Sequence, residues 1–207
     1  MTGRRGRLIA LEGGEACGKS TQAAVLASRL GAVLTREPGG TGVGEQVRDL
    51  LLDPAAGALD PRAEALLMAA ARAQHVAEVV APALAEGRDV VTDRFSHSSL
   101  AYQGHGRGLP LDEVRTLPDW ATGGLWPDVV VLLDLPADEA GARRGRPDRF
   151  EAEGDGFHHR VIQGFLALAE AEPATWRVVD ATGTVEEVAG RVWAAVSEVL
   201  GDPGAAP

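Results

Sequence analysis

Leu8-Ile9-Ala10-Leu11-Glu12-Gly13-Gly14-Glu15-Ala16-Cys17-Gly18-Lys19-Ser20-Thr21 is the stretch on which the reading of this chain turns. From Gly13 it fits the spacing G-x-x-x-x-G-K-[ST], a turn whose glycines let successive backbone N–H groups face an anion. Lys19 adds a positive charge for the terminal phosphates of a nucleotide, and Ser20 offers a hydroxyl ligand for Mg²⁺. The apolar run Leu8 to Leu11 reads as a strand, and Gln22 to Leu30 as a helix with Ala, Val and Leu on one face. Strand, glycine turn and helix form the setting in which a helix N-terminus holds phosphate. Lys19 is the only lysine among 207 residues. A chain that otherwise uses arginine keeps a compact ammonium at this one position. The expected guest is a nucleoside triphosphate, cradled by Gly13, Gly14, Glu15, Ala16, Cys17, Gly18, Lys19, Ser20 and Thr21.

Around this turn the chain has room for one domain with a substantial core, predicted over residues 1–200. A net charge of −10 argues against a nucleic-acid partner, so phosphate ligands must be met by local clusters of arginine. One cysteine allows no internal disulfide, and no apolar run reaches the ~18 residues of a membrane span. The expectation is a soluble cytoplasmic protein without a membrane partner.

The rest of the chain alternates. Gly3 to Arg7 reads as a frayed basic start, and Ala32 to Thr35 as a second strand running into the breaker-rich Arg36-Glu37-Pro38-Gly39-Gly40-Thr41-Gly42. Glu45 to Leu52 reads as a short helix and Pro61 to Glu86 as a long one, bent near Pro82. Asp89 to Asp93 is a third strand, and Phe95 to Gly108 a helix giving way to a mobile loop. Leu111 to Trp120 is a helix interrupted by Pro118. Pro127 to Leu135 is a strand whose unbroken apolar character suits a parallel sheet covered on both faces. Ala137 to Arg144 reads as helix, Gly145 to Asp155 as a charged loop, Phe157 to Ala171 as helix, Trp176 to Asp180 as strand and Val185 to Leu200 as helix. Gly201 to Pro207 is expected to be a disordered tail. The fold class is α/β, a parallel sheet of about five strands flanked by helices. Its phosphate site should lie where the loops after the strands converge at their carboxyl ends.

Two features carry chemistry beyond the turn. Asp93, ending the third strand, is placed to hold Mg²⁺ together with Ser20, although a lone acid there can equally cap the next helix. Arg143, Arg144, Arg146 and Arg149 put four guanidinium groups within seven residues. Such a run is often only a solvated face, but beside a triphosphate site it reads as an arginine lid at about residues 143–155 that closes on the transferring phosphoryl group. No protein nucleophile is evident, and a phosphate acceptor, already largely ionised, needs none.

The chain resembles the thymidylate kinases, which transfer the γ-phosphoryl group of ATP to dTMP. The resemblance runs through the P-loop, Arg36-Glu37-Pro38-Gly39-Gly40-Thr41, Ala70-Ala71-Arg72-Ala73-Gln74, Asp93-Arg94-Phe95, Ala101-Tyr102-Gln103-Gly104 and Asp148-Arg149-Phe150-Glu151. It implies a P-loop kinase fold, ATP with Mg²⁺, a homodimer in which the Pro61 to Glu86 helix is an interface element, and a catalytic arginine from the lid, Arg146 or Arg149. Arg94 would hold the acceptor phosphate with Arg48 nearby, and Arg72 would donate to the thymine carbonyl. Gln103 and Ser98 or Ser99 would face the base edge, with Glu37 and Pro38 in the same pocket. Tyr102 would sit where a 2′-hydroxyl would clash, and Glu15 near the 3′-hydroxyl. Met68 stands where the family usually has Phe. Other readings are a nucleoside monophosphate kinase of different base preference and a nucleotide-binding regulator without turnover. A guanine-specific Asn-Lys-x-Asp motif is excluded because Lys19 is the sole lysine.

Overall fold

The computed structural model describes residues 4–136, 139 and 148–201. Five strands, β1 (Leu8–Gly13), β2 (Val33–Arg36), β3 (Val90–Asp93), β4 (Val129–Asp134) and β5 (Trp176–Asp180), form one sheet in the order β2-β3-β1-β4-β5. All pairings are parallel, as the unbroken apolar runs predict. Alternate side chains serve opposite faces. Ile9, Leu11, Val131 and Leu133 pack under α1 (Lys19–Leu30) and α8 (Val185–Leu200), against Ala23, Leu26, Val188 and Val192. On the other face, Leu8, Ala10 and Val90 meet Val76, Val80 and Phe95, while Val130 and Leu132 meet Tyr102, Phe157 and Phe165. Register places Leu11 beside Asp93, Arg36 beside Asp93 and Gly13 beside Leu133, so the functional loops leave one edge of the sheet. β1 is central, and its neighbours β3 and β4 open the crevice above it.

Further helices among the described residues are α2 (Gly42–Leu52), α3 (Pro61–His75), α4 (Ala81–Ala85), α5 (Ser96–Ser99), α6 (Leu111–Thr122) and α7 (Asp155–Ala171). Several end on residues with a capping chemistry. The Thr41 hydroxyl accepts from Gly44 N–H, Asp60 from Arg62 N–H, and Thr184 and Glu187 form a reciprocal capping box.

Three local expectations are corrected and one, the long helix after Pro61, is refined. The amino-terminal segment is not frayed at Gly6 and Arg7: Gly6 N–H donates to Leu84 O at 2.9 Å, and Arg7 pairs with Asp89 at 2.8 Å. The long helix after Pro61 changes pitch before Pro82, through widened i→i+5 turns over Val76–Val80 that accommodate a proline unable to donate to the preceding turn. Leu100–Gly106 is not a mobile loop but a second widened helical segment. The apolar and aromatic residues around its glycines bury it, with Gly106 closely packed on Phe157 and Val161. α6 runs through Pro118 to Thr122, and the Thr122 hydroxyl donates to Pro118 O at 2.8 Å. The predicted helix Ala137 to Arg144 falls, apart from Glu139, outside the described residues, as do 202–207 of the expected tail.

The contact between α7 and the widened segment is tight enough to test. A Cβ on Gly164 would lie 2.7 Å from the His105 ring. Gly164→Ala is expected to lower stability by about 1–3 kcal/mol through overpacking, read as a lower urea midpoint at unchanged slope.

Candidate active site

The turn between β1 and α1 needs its glycines. Gly13 has φ +144°, and a Cβ there would lie 2.6 Å from Leu133 O, while Gly18 has φ +91°. Ala16 also adopts a left-handed φ of +57°, a conformation uncommon outside glycine and frequent at functional loops. No side chain caps α1, so its first N–H groups face the mouth of the loop. Lys19 Nζ donates to Gly14 O at 2.5 Å and lies 3.6 Å from the Cys17 sulfur, which donates to the same carbonyl. Ser20 and Thr21 open the helix. The Ser20 hydroxyl donates to Asp93 Oδ2 at 2.5 Å. One hydroxyl and one carboxylate fit Mg²⁺, which takes few protein ligands and completes its shell with phosphate oxygens and water. Among the described residues no group of three acids, histidines or cysteines could form an all-protein metal cage.

Beside the P-loop lies a cleft of about 630 Å³, counting the solvent at its mouth. Every residue of the predicted acceptor pocket lines it: Glu37, Pro38, Arg48, Met68, Arg72, Arg94, Ser98, Ser99, Tyr102 and Gln103, with Glu15 of the loop. Leu52, Asp148 and Phe150 line it too. Sequence reasoning had not assigned these three to the pocket, although Asp148 and Phe150 belong to a motif it singled out.

Arg94 joins loop and cleft. Its Nη1 donates to Gly13 O at 3.0 Å and Ser98 Oγ at 3.2 Å, and its Nη2 to Glu15 Oε1 and the Tyr102 hydroxyl, each at 2.8 Å. Its φ of +68° is held by Arg94 N–H on Leu11 O and the Thr92 hydroxyl on Arg94 O. Burial opposes a charge on Glu15, but Arg94, then Lys19 and the Tyr102 hydroxyl, outweigh it and lower the pKa to about 2. The Tyr102 ring is fixed from behind by the edges of Phe150, Phe157 and Phe165 at 5.8–6.1 Å.

Arg72 is equally constrained. Its Nε donates to Glu37 Oε2 at 2.7 Å, Nη1 to Ser99 Oγ at 2.9 Å and Nη2 to Phe95 O at 3.2 Å. The other Glu37 oxygen lies 2.9 Å from His75 Nδ1, and His75 Nε2 is 2.6 Å from Thr35 Oγ1. The loop that presents Glu37 is shaped by Glu45, which accepts from Gly40 N–H at 2.8 Å and pairs with Arg36. Arg48 Nη1 donates to Pro38 O at 2.8 Å.

The lid expectation divides. Arg143, Arg144 and Arg146 lie outside the described residues. Arg149 is described and turns inward: Nη1 pairs with buried Glu64 at 2.8 Å, Nε donates to Leu51 O at 2.7 Å, and the guanidinium lies over Phe150. Those contacts tie Arg149 to α2, α3 and its own neighbour Phe150 rather than leaving it directed at the P-loop.

Glu12 is a site residue that the sequence reading passed over. It is a fully buried acid closing an apolar strand, and that break in the run was the available signal. It accepts from Phe95 N–H at 2.9 Å, Ser98 N–H at 3.2 Å and the Ser98 hydroxyl at 2.6 Å, holding the turn that carries Arg94. Burial raises its pKa to about 7, against the opposing pull of Arg94, Ser98 and Lys19. An unfolded chain releases this proton near 4.5, so the folded chain binds it more tightly. The stability gained is complete below about pH 4.5 and is lost as pH rises through about 7. Thermal midpoints followed from pH 5 to 8 should therefore fall more steeply for the native chain than for Glu12→Gln.

The description thymidylate kinase belongs to the family that matches residues 11–192. The chain is 52% identical over 199 residues to a thymidylate kinase of a Synechococcus species, covering 93% of this chain and 95% of that one. Identity is also 52% to the thymidylate kinase of Deinococcus radiodurans over 202 residues, 94% of this chain and 98% of that one. The crystal structure of thymidylate kinase from Ehrlichia chaffeensis superposes with a TM-score of 0.78 at 30% identity, covering 93% of this chain and 99% of the other. With the P-loop, the arginine-lined cleft and these matches over nearly its whole length, the chain belongs to the thymidylate kinase family.

Proposed function

We propose that this chain transfers the γ-phosphoryl group of ATP to the phosphate of dTMP, giving ADP and dTDP. The observation that carries this reading is Arg94, whose one guanidinium touches both the P-loop carbonyl of Gly13 and the Glu15–Tyr102 wall of the cleft. A group so placed meets an acceptor phosphate at the point where a P-loop would present the γ-phosphate. An oxygen of dTMP then attacks phosphorus, and the bond to the β–γ bridging oxygen breaks with ADP as the leaving group. The acceptor is already ionised, so positioning and charge neutralisation replace a base. Lys19 and the loop N–H groups hold the donor phosphates. Ser20 and Asp93 would hold Mg²⁺, which neutralises charge on the phosphate oxygens when bound.

Within the cleft, Arg94 and Arg48 serve the monophosphate, Arg72 and Gln103 the base edge with Ser98 or Ser99, and Glu37 and Pro38 the wall. Met68 covers the base with a flexible thioether. Tyr102, rigid behind and pinned at its hydroxyl, excludes a ribose 2′-hydroxyl, and Glu15 meets the 3′-hydroxyl. Arg146 supplies the catalytic guanidinium from the lid. A homodimer through α3 is supported by Leu66, 58% exposed in the middle of that helix. The reaction is assigned to the cytoplasm; no helix among the described residues is long and apolar enough to cross a membrane.

ADP formation with ATP and Mg²⁺ tests the reading directly. Strong turnover with dTMP and little with UMP is expected; comparable use of UMP would sink the Tyr102 assignment, and no turnover with any monophosphate would favour a regulator. The two lid-side arginines should separate. Arg146→Ala is expected to lower kcat by about 10³-fold or more with little change in melting temperature, as for other arginines that stabilise phosphoryl transfer. Arg149→Ala should instead chiefly lower the melting temperature, by removing a partner of buried Glu64.

A further inference from the structure

Glu64 sits in the first turn of α3 and is fully buried. Nothing in the phosphoryl-transfer chemistry calls for it, yet its oxygens accept three hydrogen bonds and form a further ion pair. Oε1 accepts from Gln103 Nε2 at 2.9 Å and Arg107 Nε at 3.2 Å. Oε2 accepts from Arg107 Nη2 at 3.0 Å and forms an ion pair with Arg149 Nη1 at 2.8 Å. A carboxylate only accepts, so the Gln103 atom that faces it is the amide nitrogen. The amide is planar, and its carbonyl oxygen is turned away from Glu64. Gln103 is itself only 1% exposed and lines the cleft.

On the same cleft Arg72 offers donors only. Three of its nitrogens are already directed to Glu37, Ser99 and Phe95 O, which leaves further Nη hydrogens but no acceptor. A donor and a carbonyl acceptor together match the O4 and N3–H of thymine. Cytosine reverses both, with an amino group against Arg72 and a bare N3 against a carbonyl. A glutamine free to rotate its amide by half a turn could adapt to either base. Against Glu64 that rotation would set carbonyl against carboxylate and leave buried groups unpaired, which is costly.

We propose that Glu64 is a positioning residue that locks the Gln103 amide with its carbonyl toward the cleft, so that the pocket accepts a 4-oxo, N3–H pyrimidine and rejects a 4-amino one. The inference rests on reading the cleft as the dTMP site. The same carboxylate, through Arg149, fixes the segment whose Asp148 and Phe150 complete the cleft wall.

The test is kcat/KM for dTMP and dCMP in the native chain, in Glu64→Gln and in the exchanged pair Glu64→Gln/Gln103→Glu. The native chain should strongly prefer dTMP; failure there overturns the dTMP reading itself before any variant is made. Glu64→Gln frees the amide to turn, and the dTMP/dCMP ratio is expected to fall about tenfold, mainly through KM, in line with the loss of one oriented hydrogen bond. In the exchanged pair the new amide at position 64 donates to the new carboxylate at position 103, whose other oxygen remains an acceptor, so the ratio should recover. An unchanged ratio in folded Glu64→Gln, or a loss that the exchange does not rescue, overturns the proposal. If Glu64→Gln fails to fold, Glu64→Asp keeps the charge for Arg107 and Arg149 but draws it back from Gln103. The ratio should fall there as well, and an unchanged ratio overturns the proposal.

Discussion

The guanidinium of Arg94 is the constraint from which the rest of the site follows. It hydrogen-bonds the P-loop at Gly13 O and the cleft at Glu15 and Tyr102, so neither half can move without the other. Holding it there needs a left-handed backbone at a non-glycine residue, a conformation that survives only when surrounding contacts over-determine it. Leu11 O, Thr92 and the Glu12 carboxyl supply those contacts, and all three come from the paired strands β1 and β3 or their ends. The parallel register of the sheet is thus what delivers a cation to the junction of the P-loop and the cleft. Burial opposes that charge, and the oxygens of Tyr102, Glu15 and Asp93 more than compensate.

This arrangement explains why the outline was legible and the interior was not. All five strands could be read, β1 and β4 from their unbroken apolar runs and the shorter β2, β3 and β5 from β-branched residues set between helical stretches, and the P-loop because its spacing is tied to a backbone requirement. The cleft residues were carried by motif resemblance, and the fold brings all of them to one surface. Misread segments share a cause. Leu100–Gly106, glycine-rich and polar in sequence, is helical because α7 packs on it and the glycines permit close approach. Pro82 looked like a bend and Pro118 like an interruption, but the first follows a stretch of widened turns and the helix runs on through the second. Arg149 looked like part of a phosphate-facing run, yet an acid 85 positions earlier claims it, a pairing with no local signature.

A chain of net charge −10 that binds two phosphorylated ligands looks contradictory until its buried acids are placed. Glu12, Glu37 and Glu64 are nearly or wholly buried, and each holds a different cleft-lining residue from behind: the turn of Arg94, the guanidinium of Arg72 and the amide of Gln103. Their value is not chiefly stability, because buried ion pairs recover little beyond the cost of desolvating them. What they contribute is orientation, fixing donors and acceptors before the ligand arrives so that little reorganisation is needed when charge moves. A cleft lined by unbraced arginines would attract phosphate as well but would read the base poorly, since flexible groups adapt to whatever enters. The negative charge of this chain therefore does not compete with its substrates; part of it lies behind the binding surface and sets the direction in which that surface points.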